Sequence, residues 1–85
     1  NTDLFFYRTI AKAEIDFVIC TDDEIIPIKI KLGKKNQPVP VVLKNFMNTY
    51  KKTVRRAIVI TRDEFRVDGP TTFLPYTLLP FIKIL

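Results

Sequence analysis

The chain of 85 residues has no histidine, one cysteine and two glycines. Without histidine or a CxxC pair it holds no donor set for a structural zinc site, and Cys20 has no partner for an internal disulfide. No long apolar run and no basic n-region are present, so neither a membrane span nor a signal peptide is expected, and a reducing cytoplasm is the natural compartment. No repeat or low-complexity tract interrupts it. Asn1 stands where an initiating Met is absent, which reads as a cut inside a longer protein. Residues 1–85 are therefore expected to form one domain of a larger chain.

What is present favours a packed domain over disorder, with 47% hydrophobic and 12% aromatic residues. At this length a single core is near the lower limit that holds without a disulfide or metal. The formal charge of +5 is compatible with nucleic-acid contact, and equally with a small domain that binds none.

The stretch from Ala13 to Lys31 organises the chain. Ile15, Phe17 and Ile19 alternate with Glu14, Asp16 and Val18; after Thr21-Asp22-Asp23-Glu24, the residues Ile26, Ile28 and Ile30 alternate with Pro27, Lys29 and Lys31. Period-two alternation predicts two half-buried strands joined by a tight turn at Asp22-Asp23. That register sets Asp16 opposite Lys29 and Glu14 opposite Lys31, giving one charged face and one oily face.

Around this hairpin, Leu4 to Arg8 fits a first strand, completing an antiparallel meander to Leu32. Gly33 to Pro40 has the composition of a loop. From Val41 the period becomes helical, with Val42 or Leu43, Phe46, Met47 and Tyr50 on the apolar face and Lys51 and Lys52 suited to the negative end of the dipole. Arg56 to Ile60 is a continuous apolar run, expected of a strand buried on both faces and lying parallel to the third after a helical crossover. Residues 65–74 fold back about Asp68-Gly69-Pro70, and a short helix is expected to begin near Thr77. The fold class is α/β, a small mixed sheet with the helix on one face.

The succession FFYR, AEIDFV, IPIKIK-x-G, amphipathic helix and RRAIVIT resembles the accessory domain found after the P-loop domain in many prokaryotic AAA-type ATPases. That family is similar in turn to the PD-(D/E)xK nuclease-like superfamily. The resemblance runs from Leu4 to about Leu79 and implies a restriction-endonuclease-like fold, a P-loop ATPase domain in the same chain, and a catalytic motif of an Asp on the second strand followed by acid-x-Lys on the third. Asp16 matches the first position and Lys31 the last, but Lys29 stands where the acid belongs. Glu14 matches an acid usual in the ATPase-associated family, so the implied metal ligands are Asp16 and Glu14. Arg8, in the family-like FFYR, Lys29, Lys34 and Lys35 are the implied nucleic-acid contacts.

In that chemistry carboxylates hold Mg²⁺, which polarises the phosphate and activates a water. An ammonium in place of a carboxylate opposes the metal, since two unit charges about 4 Å apart interact by roughly 4 kcal/mol at an effective dielectric near 20. The expectation is a metal-poor site and a non-catalytic module that binds nucleic acid or a partner for the ATPase, with no cofactor in residues 1–85. An active Mg-dependent DNA endonuclease and a structural subunit-contact module are the competing classes. The bland alternative for Glu14, Asp16, Lys29 and Lys31 is a ladder of ion pairs on a solvated sheet face. The basic residues Lys34, Lys35, Lys44, Lys51, Lys52, Arg55 and Arg56 could form a phosphate-tracking surface beside the sheet, but read chiefly as a solvated polar face.

Overall fold

The computed structural model describes residues 3–6 and 15–81. Six strands form one mixed sheet: β1 (Asp3–Phe6), β2 (Phe17–Cys20), β3 (Ile25–Ile30), β4 (Ala57–Thr61), β5 (Arg66–Asp68) and β6 (Thr71–Pro75). A helix, α1 (Val41–Thr49), joins β3 to β4, and a 3-10 helix (Tyr76–Phe81) follows β6. The spatial order is β1-β2-β3-β4-β6-β5. The first three strands are an antiparallel meander, β4 lies parallel to both β3 and β6, and β5 pairs antiparallel with β6 at the outer edge.

The central hairpin has the register that its charge pattern predicts. Phe17 pairs with Ile28 and Cys20 with Ile25, while the Thr21 N–H donates to the Glu24 carbonyl at 2.9 Å. Asp22 and Asp23 are thus the two turn residues. The Thr21 hydroxyl accepts the N–H of Glu24 at 3.0 Å, so the turn's backbone is tied by its own first side chain. Pro27 is accommodated inside β3 opposite Val18.

The faces of the hairpin differ from the expected charged-and-oily division. Val18 packs with Ile15, Val39, Leu43, Ala57, Val59 and Phe73 beneath α1, while Ile19, Ile26, Ile28, Ile58, Ile60 and Leu74 form a second cluster. Both faces are apolar because the helix covers the side on which Asp16 and Lys29 also lie. The charged residues occupy only the end of that side, where β2 begins and β3 ends. One rung of the expected ladder, Asp16 with Lys29, is present in a short polar margin beside a core, and Glu14 of the other rung lies outside the described residues.

All five residues of β4 are buried, in keeping with a strand flanked by two others and covered on both faces. The crossover helix sinks Leu43 completely, half-buries Val42, Phe46 and Met47, and leaves Tyr50 exposed. Pro40 occupies its N-cap with φ −56°. Lys51 and Lys52 lie past the last helical turn, which holds no basic residue, so the expected match of lysine to helix dipole is absent. The fold-back about Gly69 is present, with Gly69 at φ 59°. Its second strand, β6, inserts beside β4 as another parallel neighbour, a pairing the sequence reading did not contain. Burial explains it: Thr71, Phe73 and Leu74 of β6 are core residues, whereas Val67 of β5 is exposed. The closing helix begins at Tyr76 and has 3-10 geometry.

Candidate functional site

The polar margin lies where β3 and β4, running parallel, reach their carboxyl ends. In open α/β sheets this is the side on which ligands are usually received. Asp16 immediately precedes β2, and its N–H donates to the Ile28 carbonyl at 3.1 Å, which fixes the side chain beside the end of β3. The carboxylate Oδ2 accepts the N–H of Ile30 at 2.8 Å and lies 3.5 Å from the Lys29 ammonium. Both side chains are about four-fifths covered, at 20% and 23% exposure for Lys29 and Asp16. One oxygen of Asp16 thus already meets a backbone donor and a cation.

Lys31 continues the parallel ladder, its N–H donating to the Ile60 carbonyl at 2.8 Å. It lines a small cleft with Lys34, Gln37, Pro38, Pro40, Thr61 and Glu64, together with the core residues Val59 and Phe73. No carboxylate among the described residues pairs with Lys31 or Lys34. Lys35 instead meets Asp63 at 3.6 Å on the exposed surface. Arg8 and Glu14, the remaining residues singled out in the sequence, lie outside the described residues.

Sequence reasoning missed the far wall of this cleft. The Thr61 hydroxyl donates to the Glu64 carbonyl at 2.7 Å and accepts the Glu64 N–H at 3.0 Å, closing a turn directly after β4. That turn aims Glu64 inward, where Oε1 accepts the N–H of Asn36 at 3.2 Å. Asn36 has φ 59°, the left-handed conformation that asparagine tolerates better than most residues. Arg66 stacks on Phe73 with its guanidinium carbon 3.9 Å from the ring centre, and its Nη2 donates to the Gln37 carbonyl. Its Nε is 3.6 Å from Glu64 Oε2, close enough for an ion pair but too far for a hydrogen bond, so this buried nitrogen is unsatisfied. The Thr-x-x-Glu spacing from Thr61 to Glu64 was the available signal, since a threonine followed three residues later by a bonded backbone group is a local turn device.

At the other end of the sheet, Arg56 grips Glu24 with contacts of 3.0 and 3.3 Å, and Arg55 donates to the Asp23 carbonyl at 3.4 Å. These two arginines serve the central hairpin turn.

A divalent metal such as Mg²⁺ needs several oxygen donors converging on one point. No group of three or more His, Cys, Asp or Glu side chains among the described residues could hold one. Asp16 shares its oxygen with Lys29, and Glu64 shares its carboxylate with Asn36 and Arg66. The described residues do not fit a Mg²⁺ centre. Nor is any helix among them long and apolar enough to cross a membrane.

No curated protein and no solved structure matches the chain. A family profile does match, over residues 1–79, and on that match the chain belongs to the family described as Domain of unknown function (DUF4143).

Proposed function

We propose that this domain is a nuclease-like accessory module of a prokaryotic AAA-type ATPase that has given up metal-dependent cleavage and serves to bind nucleic acid. The observation that carries the reading is the Lys29 ammonium 3.5 Å from Asp16 Oδ2, in the strand position where the resembled motif has an acid. A cation there compensates the aspartate and opposes a divalent ion. The mixed sheet supports the restriction-endonuclease-like part of the reading, since an antiparallel meander followed by a helical crossover to a parallel strand is the succession the resemblance implies. The cleft supports the binding part, because it keeps two lysines without acidic partners among the described residues. A glycine-rich loop ending in Gly-Lys-Ser/Thr elsewhere in the same polypeptide would support the ATPase context.

Two measurements test this function. Supercoiled plasmid incubated with the intact protein and Mg²⁺ or Mn²⁺ is expected to stay uncut; nicking that disappears in Asp16→Ala would overturn the loss of catalysis. DNA affinity is expected to fall steeply with added salt, as phosphate contacts by lysine release counterions. Absence of binding even at low ionic strength would overturn the nucleic-acid role.

A further inference from the structure

The cationic residues among those described are not equivalent. Lys29 is paired with Asp16 and Arg56 with Glu24, and Lys35 lies beside Asp63 at the exposed surface. Lys31 and Lys34 have no such partner among the described residues, and they line the same cleft. The one acid lining that cleft among the described residues, Glu64, has its charge met by Arg66 and by the Asn36 N–H. Among the described residues, two positive charges are therefore without an acidic partner in a recess that Gln37, an amide able to donate, also lines.

From this arrangement we infer that the cleft is a phosphate site, in which the Lys31 and Lys34 ammonium groups receive the oxygens of one phosphate group and Gln37 donates from the side. The inference deepens the proposed nucleic-acid role by naming the residues that would hold the backbone, and it rests on that reading for the source of the phosphate. Of the contacts expected from the sequence it keeps Lys34, adds Lys31, and leaves out Lys29 and Lys35, which are paired. The recess is small, and the core residues Val59 and Phe73 are part of its lining, so it suits a single group presented from outside.

The site can be read by amide chemical shifts of the intact protein titrated separately with inorganic pyrophosphate and with a short DNA duplex. Shifts centred on Lys31, Lys34 and Gln37 with both probes are the expected result. Shifts with pyrophosphate alone would retain the phosphate site and overturn the nucleic-acid reading, making a free phosphate compound the ligand. No shift at these residues with either probe, or DNA shifts elsewhere only, would overturn the site.

Substitution gives an independent measure. Lys31→Gln and Lys34→Gln are each expected to weaken binding of the probe that shifts the site about tenfold, and with DNA to lower the salt slope by about 1. Lys31→Arg should retain most of the affinity. Lys52→Gln, beyond the opposite end of α1, should bind like the parent. Equal effects from Lys31→Gln and Lys52→Gln would mean diffuse attraction by net charge and would overturn the site.

Discussion

Neutralising Asp16 and Lys29 one at a time and together measures the contact on which the proposed loss of catalysis depends. The pair is 3.5 Å apart and about four-fifths covered on both sides. Coulomb's law gives about 1 kcal/mol at that distance in water and about 5 kcal/mol at an effective dielectric of 20. Partial exposure and the desolvation of both groups bring the net coupling to about 1 kcal/mol. Asp16→Asn keeps an amide oxygen for the Ile30 N–H, so it isolates the charge, whereas Asp16→Ala also removes that acceptor and is expected to cost roughly another 0.5–1.5 kcal/mol. Lys29→Met retains the side-chain length without the ammonium. Urea unfolding followed by far-ultraviolet circular dichroism is a suitable assay, since a loss of about 1 kcal/mol moves the midpoint of a small domain by roughly 1 M. The expected pattern is that each single substitution destabilises and the double substitution costs less than their sum, with a coupling of about 1 kcal/mol. A coupling below about 0.3 kcal/mol would refute the reasoning, because the two charges would then be independently solvated.

Other substitutions probe the neighbouring features. Lys29→Glu puts two carboxylates where an ion pair stood; its melting temperature should fall below the parent's, and Mn²⁺ should restore part of the loss in the variant while leaving the parent unchanged. Thr71 is 1% exposed and its hydroxyl has no hydrogen-bond partner, so Thr71→Val should raise stability by about 1 kcal/mol in thermal unfolding. Gly69 has φ 59° with nothing within 4 Å of the position a Cβ would take. Gly69→Ala should therefore cost about 1 kcal/mol from backbone strain alone, visible as a lower urea midpoint. Leu43 is the fully buried residue of α1, and Leu43→Ala should cost about 2–5 kcal/mol, detected by the same denaturation.

Local pattern carried much of this fold. The alternation about Asp22-Asp23 fixes the register of β2 against β3, because a tight turn leaves one pairing that matches apolar residues on both strands. The unbroken run Ala57–Thr61 announces a strand with neighbours on each side. Two things were not legible. The burial of both faces of the hairpin depends on where α1 settles, which no period within β2 reveals. The insertion of β6 between β4 and β5 is a choice among strand partners far apart in sequence, decided by the burial of Thr71, Phe73 and Leu74. In the site, Asp16 beside Lys29 follows from register alone. Glu64 and Arg66 enter through a turn after β4, and only three-dimensional proximity relates them to Lys31.

The position of β4 has a consequence for how the sheet opens. The meander β1-β2-β3 and the β5-β6 hairpin each pair strands that are near one another in sequence, so each can form locally. β4 alone joins them, and both of its ladders close over intervening chain. Breaking its hydrogen bonds therefore requires separating the two halves of the sheet. The amides of Ile58, Val59 and Ile60 should accordingly exchange with solvent deuterium only through global unfolding, while those of the β5 edge exchange through small local openings. By this measure β4, itself without a charged side chain, sets the lifetime of the cleft that Lys31 and Lys34 border.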